Sequence, residues 1–317
     1  MLSKNNNYCF NAFSQSDLTT YHTTRGGEKR IGDTLLPMLA APSAKFIILG
    51  ISESLGPMAN RGKAGAENTF ESFLPSFLSM QDFNHDCACI GYVKWIGAEK
   101  KTFTLSNYVV ELDEFVLTIL LKYVQLNQIP ILIGGGHNNA LPLIKWANLK
   151  YGKIDVLNFD AHADCRAMEE RHSGNSFSYA ISEKLIEKYH VFGLHKAYLN
   201  SFSHRFMIDN GANFTFYENY LDGNGTLASD IEDLITIKGQ DSVLGIEIDL
   251  DCIADMPSSA VSPSGWHFDE IRRSLRKLAH STLKIVYLNL TEAAPISDLE
   301  KKKVGKALAY LVRDFIE

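Results

Sequence analysis

The sequence has no apolar run of membrane-spanning length, no paired-cysteine spacing and no dense basic tract, and each absence removes a class of function. The longest apolar runs fall far short of the roughly 20 residues a bilayer helix needs. The first residues, MLSKNNNYCFNAF, hold no signal-peptide core. The expectation is a cytoplasmic protein with no membrane partner. The five cysteines (Cys9, Cys87, Cys89, Cys165, Cys252) are odd in number and match neither a zinc ribbon nor a disulfide framework. They read as reduced thiols, because the single residue between Cys87 and Cys89 is poor geometry for a shared metal or a redox pair. A net charge of −6 and a pI near 5.9 give no global basic field, and no Lys/Arg run is interleaved with aromatics, so nucleic acid is not an expected partner. Lys301, Lys302 and Lys303 read as the solvated face of a C-terminal helix. Gly134-Gly135-Gly136 lacks the spacing of a dinucleotide fingerprint, and no P-loop lysine follows it.

What is present is a globular chain of 317 residues, 45% hydrophobic, long enough to bury a large core. Residues 1–44 are polar and irregular and read as an arm packed on the domain; residues 45–317 read as a single catalytic domain. From Lys45 short apolar runs alternate with helix-like segments, the pattern of βαβ units. The runs are 45–51, 129–136, 153–160, 189–194, 242–249 and 283–290. Their unbroken hydrophobicity predicts an α/β fold, a mostly parallel sheet covered on both faces by helices such as 107–127 and 268–279.

Ligands bind beyond the carboxyl ends of such strands, and four of these ends are unusual. One run leads into His137, one into Asp160-Ala-His162-Ala-Asp164, one into Asp249-Leu-Asp251, and one ends on Glu292. In extended chain, side chains two apart share a side, so Asp160, His162 and Asp164 can converge, as can Asp249 and Asp251. Four carboxylates held together beside a core repel unless cations compensate them. Two divalent ions would cancel that charge. Two imidazoles and four carboxylates without a thiolate favour manganese, although affinity alone leaves zinc, cobalt and nickel open. Such ions, about 3.5 Å apart, can bridge a water and lower its pKa towards neutrality.

Together with Ser173-Gly174-Asn175 and Thr291-Glu292-Ala-Ala-Pro295, these motifs resemble the ureohydrolase family of arginase, agmatinase and formimidoylglutamase, from about Lys45 to the C-terminus. The resemblance implies a three-layer α/β/α fold with about eight parallel strands, two Mn2+ ions per chain, and hydrolysis of a guanidino or formimidoyl C–N bond by a metal-bridging hydroxide. It further implies that His137 binds one metal, His162 and Asp251 the other, that Asp160 and Asp249 bridge, and that Asp164 binds the first metal and orients the hydroxide. Glu292 would hold the substrate's cationic head group, and family members commonly form homo-oligomers. Arg166, beside Ser173, Gly174 and Asn175, stands where an amino-acid substrate's carboxylate would bind; its alternative is a salt bridge to Glu169 or Glu170. The stretch 171–179 resembles the formimidoylglutamase branch more than the arginase branch.

This chain departs from the family pattern in places. Phe177 stands where arginases carry a histidine, with His172 as a candidate replacement for that proton shuttle; Glu247 stands where the family has a serine; and Asp255 lies one residue late. The leading expectation is hydrolysis of N-formimidoyl-L-glutamate to L-glutamate and formamide. The alternatives are an arginase-type, urea-releasing hydrolase and a non-catalytic metal-binding relative; a deacetylase on the related fold fits poorly, because six ligands call for two metals.

Overall fold

The computed structural model describes residues 7–97, 104–238 and 242–317. Its sheet contains ten strands: β1 (Tyr8–Ala12), β2 (Leu36–Pro37), β3 (Phe46–Ser52), β4 (Cys87–Trp95), β5 (Ile129–Ile133), β6 (Ile154–Phe159), β7 (Ile186–Leu194), β8 (Asn213–Phe216), β9 (Val243–Asp249) and β10 (Lys284–Thr291). The order is β1-β4-β3-β5-β10-β9-β6-β7-β8, with β2 beside β4. Strands β3 to β10 run parallel, the two-residue β2 joins them in that sense, and only β1 is antiparallel. The sheet thus exceeds the expected eight or so strands by its two N-terminal additions. Both arise within residues 1–44, where an irregular arm was expected; Tyr8 and Phe10 of β1 are buried, as are Phe13, Leu18 and Ile31 beyond it.

Alternation along the strands builds two cores. From β3, Phe46 and Ile48 face one side while Ile47, Leu49 and Ile51 face the other. The first side packs on helices Thr69–Leu78, Leu227–Lys238, Phe268–Ala279 and Asp298–Ile316; the second packs on Leu105–Tyr123, Ala140–Tyr151 and Ser176–Ser182. The C-terminal helix is capped by Ser297 and Glu300 in a reciprocal capping box, and it buries Val304, Leu308, Leu311, Val312 and Phe315. Each such side chain contributes about 1.5–3 kcal/mol. Gly305 permits close approach to Thr69–Leu78, since a Cβ there would sit 2.1 Å from the Ser72 carbonyl. Lys302 and Lys303 of that helix are exposed. All five cysteines are free, and burial pushes the Cys87 and Cys89 thiols up. Among the described residues no helix is long and apolar enough to cross a membrane.

The middle of the sheet is the adjacent quartet β5-β10-β9-β6. Their carboxyl ends deliver His137, Glu292, Asp249 with Asp251, and Asp160 to Asp164, which places the strand-end residues side by side.

Candidate metal centre

After β5 the chain turns through Gly134 and Gly135, at φ 92° and 70°, into a short 3-10 turn (His137–Asn139) that opens helix Ala140–Tyr151. Glycine is needed at 135, because a Cβ there would lie 2.6 Å from Asn139 Nδ2 and 2.7 Å from Glu53 Oε1. Glu53, just beyond β3, is buried and fastens this turn. Its Oε1 accepts from Gly136 N (3.0 Å), Asn138 Nδ2 (3.2 Å) and Asn139 Nδ2 (2.8 Å), and its Oε2 accepts from Leu55 N (2.6 Å) and Gly56 N (3.3 Å). Sequence reasoning did not find Glu53: no motif marks it, and the residues of the turn it fastens, Gly136, Asn138 and Asn139, lie more than 80 residues away.

The fastened turn aims His137 at the acids. His137 Nδ1 lies 3.0 Å from Asp164, 3.3 Å from Asp160 and 3.3 Å from Asp249. Its Nε2 lies 3.5 Å from Glu247, which itself accepts from Tyr287 OH (2.8 Å) and Asn289 Nδ2 (2.6 Å). Glu247 therefore points inward, as its alternation with Asp249 predicts, and can fix the proton on Nε2 while Nδ1 faces the acids. Across the cluster, His162 Nδ1 lies 2.9 Å from Asp251 and 3.6 Å from Asp160. Asp160 is held by Asn158 Nδ2 (2.8 Å) and by His162 N (2.6 Å). Asp249 accepts from Asp251 N at 2.8 Å. The His162 ring stacks on Tyr198, with centroids 4.9 Å apart, and the His137 ring meets Phe177 edge-on at 5.1 Å.

The ligand atoms form two groups, each within 4.8 Å: His137, Asp160, Asp164 and Asp249, and Asp160, His162 and Asp251. Asp160 is common to both. Asp249 falls in the first group only, so the structure brings it to one side of the pair that the resemblance has it bridge. Both His137 nitrogens and Asp251 Oδ1 are buried without a well-formed hydrogen bond. The electrostatics tell the same story. Burial pushes Asp249 well above the usual carboxylate range, with Asp251 and Asp160 adding to the rise; burial and Asp160 raise Asp164 to about 6. Burial opposes the charged form of Asp160 too, but His137 and His162 outweigh it and bring that acid to about 2. Burial would depress His137, yet the carboxylates of Asp160, Asp164, Asp249 and Glu247, all within 3.5 Å of its ring nitrogens, hold it well above its ordinary value. The two imidazoles can balance these acids only by carrying protons. An oxygen-rich, thiolate-free set sharing one carboxylate between two groups fits two hard or borderline divalent cations.

A cleft of about 410 Å³ opens onto the cluster, lined by His162, Asp164, Asp249, Asp251 and Glu292 and, at its mouth, by Asn60, Arg61, Arg166 and Ser173. Arg166 is exposed and donates to Asn60 Oδ1; among the described residues it has no acidic partner, so the bridge to Glu169 or Glu170 does not form. Ser173 Oγ accepts from Asn60 Nδ2 at 3.4 Å. Gly174 lies against Asn60 and Arg166, where a Cβ would come within 2.8 Å and 3.1 Å of those side chains. Asn175 is turned inward: its Oδ1 accepts from Arg171 and His172 N, and its Nδ2 donates to Ala167 O and Glu170 O. His172 does not line this cleft. Its Nδ1 accepts from Gly174 N (3.1 Å), it faces an adjoining hollow with Arg61, Arg166, Glu169 and Glu170, and burial lowers its pKa to about 4. Glu292 lines the cleft from a left-handed backbone, φ 63°, but both its oxygens are engaged, by His137 N (2.7 Å) and by Ser259 Oγ. Burial lifts it to about 7.

Residues 85–317 match the Arginase family. A formimidoylglutamase of Halalkalibacterium halodurans is 24% identical over 213 residues, 64% of this chain and 65% of that protein. An agmatinase of Bacillus subtilis is 26% identical over 212 residues, 65% and 67% of the two chains. The chain thus spans roughly half to two thirds of the length of the curated relatives it matches. A solved formiminoglutamase of Trypanosoma cruzi carrying Mn2+ superposes with a TM-score of 0.69 over 96% of this chain and 98% of its own, at 19% identity, which is a likeness of fold.

Proposed function

The chain belongs to the arginase family, and we propose that it is a two-manganese hydrolase that cleaves the C–N bond of a formimidoyl amino acid, N-formimidoyl-L-glutamate in particular, giving L-glutamate and formamide. The observation that carries the substrate half is Arg166. Among the described residues this guanidinium has no acid of its own, and it is held by Asn60 at the mouth of the cleft that ends on the carboxylate cluster. A carboxylate-bearing substrate satisfies it; agmatine, which has none, does not.

His137, Asp160, Asp164 and Asp249 would hold one cation and Asp160, His162 and Asp251 the other. When bound, the pair supplies Lewis acidity, neutralises the acids and makes water acidic enough to attack an amidine carbon near neutral pH. The protein's own contribution is positional. Glu247, 3.5 Å from His137 Nε2, is placed to set its tautomer, Asn158 and His162 N fix Asp160, and Glu53 sets the turn from which His137 projects. Asp164, in the cleft and 3.0 Å from His137, is the acid placed to accept a proton from attacking water. Glu292 braces the His137 backbone while lining the cleft, and Ser259, which donates to it, can turn towards a bound amidinium.

Formamide released from N-formimidoyl-L-glutamate and urea released from L-arginine, each assayed after manganese loading, test the reading. Turnover of the first alone is expected; urea from arginine without formamide would sink it. That second result is the urea-releasing alternative, which similarity to an agmatinase keeps in view.

A further inference from the structure

We propose that Arg61 is a specificity-determining residue, a second guanidinium that works with Arg166 to select dicarboxylate substrates of glutamate type; the proposal rests on the hydrolase reading above. Arg61 follows Asn60, the residue that holds Arg166. It lies in the left-handed region at φ 65°, in a turn closed by Arg61 N to Met58 O (3.0 Å) and Gly62 N to Pro57 O (2.7 Å). An L side chain is disfavoured there and glycine is at ease. The chain nevertheless keeps a long cationic side chain at this position. That side chain is exposed, has no ion-pair partner among the described residues, and lines both the cleft over the metal cluster and the adjoining hollow, as Arg166 does. Strain retained at a cleft mouth points to a use for the side chain.

The charges around it narrow that use. Asp160, Asp164, Asp249 and Asp251 lie among the two imidazoles, and Glu292 is engaged by Ser259 and His137 N. Glu169 and Glu170 share the adjoining hollow with both arginines, but among the described residues neither forms a salt bridge with them, and Glu170 accepts from Ser106. Two like charges sharing one rim with no acid paired to either make a site for an anion with two carboxylates, one for each planar guanidinium. A substrate with one carboxylate leaves one arginine unanswered, and agmatine leaves both.

Arg61→Gly removes the guanidinium while keeping a residue that favours the turn. Its kcat and KM would be measured with N-formimidoyl-L-glutamate and with two analogues, N-formimidoyl-2-aminobutyrate and 4-formimidoylaminobutyrate, each lacking one carboxylate. KM for the diacid should rise about tenfold or more, with kcat little changed. One of the two analogues should be insensitive to the substitution, Arg61→Lys should recover part of the loss, and the melting temperature should hold or rise. An unchanged KM, or equal losses on all three substrates, overturns the proposal. If no amidine is turned over, the hydrolase reading fails separately, and calorimetry of glutarate binding to the manganese-loaded protein decides Arg61. Weaker binding of glutarate, but not of butyrate, by the variant supports the role; equal binding of glutarate by the two proteins refutes it.

Discussion

Two buried polar clusters flank the turn at His137–Asn139, and they differ in whether their own donors suffice. On one side Arg171, 4% exposed, spends its guanidinium on Asp113 (2.9 Å and 3.3 Å), on Asn138 O (3.0 Å), on Asn175 Oδ1 (2.8 Å) and on His172 O (3.0 Å). On the other side His137, Asp160, Asp164 and Asp249 crowd together with both imidazole nitrogens lacking a well-formed hydrogen bond. The first cluster closes on itself and behaves as a bolt between helix Leu105–Tyr123 and the 171–175 loop. The second is electrostatically incomplete without cations. Charge therefore marks a site where its partners are missing, and Arg171 and Arg166, five residues apart, show the contrast: one is buried and spent, the other exposed and open to the cleft.

The largest effect that could break this comparison is metal removal. Two ions at a hundredfold excess over their dissociation constants would stabilise the fold by about 5 kcal/mol together, so a chelator should lower the melting temperature sharply. Asp249→Asn should abolish binding of one ion and reduce turnover by more than about 100-fold, exceeding the loss typical of residues that merely support ligands. Its metal-free form should melt above metal-free wild type, since one of the repelling acids is gone. Metal stoichiometry by plasma emission and melting curves with and without chelator check this; a metal-free variant that melts lower would show that the cluster is self-sufficient after all.

The Arg171 cluster should respond in the opposite way, to mutation and not to chelation. Arg171→Met leaves Asp113 buried, already raised by burial against the pull of Arg171, and should cost about 3–5 kcal/mol. The double substitution Arg171→Met/Asp113→Leu should regain much of that, with Asn138 O still short a donor. Denaturant midpoints measured with and without manganese give the answer, and a loss that disappears on metal binding would merge the two regions into one.

How much of this was legible beforehand follows from the same physics. Strand-end acids and histidines two apart announce a site because alternation aims them together, and β3, β5, β6, β9 and β10 are near-continuous apolar runs. β1 and the four-residue β8 carry weak local signals: β1 owes its place to antiparallel pairing with β4, and the side chains of β8 are half-exposed. Glu53 and Asn60 belong to no motif, and the site residues they hold, the 136–139 turn and Arg166 with Ser173, are far away in sequence. At Arg61, Asp164 and Glu292 local rules ask for glycine where φ is positive, so their conformations could only be seen in the fold. Helix Phe268–Ala279, by contrast, has the bounds its spacing predicts, because its amphipathic face and cap are local.

The smallest predicted effect separates the acid response of the rest of the molecule from that of the two clusters. His190 on β7 is buried; burial, with Lys238 adding to it, depresses its pKa to about 4 from an ordinary 6.5. Because the folded value lies below the unfolded one, the neutral ring's contribution is intact above pH 6.5 and is lost progressively as pH falls from there through 4. The shift corresponds to at most about 3 kcal/mol. In metal-free protein the acids of the cleft work the other way over this range, since protonating Asp249 and Asp164 relieves repulsion. His190→Phe removes the titrating group but keeps a ring in its place, so metal-free variant protein should lose less stability than wild type between pH 6.5 and 4. Parallel unfolding profiles for the two proteins would instead assign the whole acid response to the clusters around His137–Asn139.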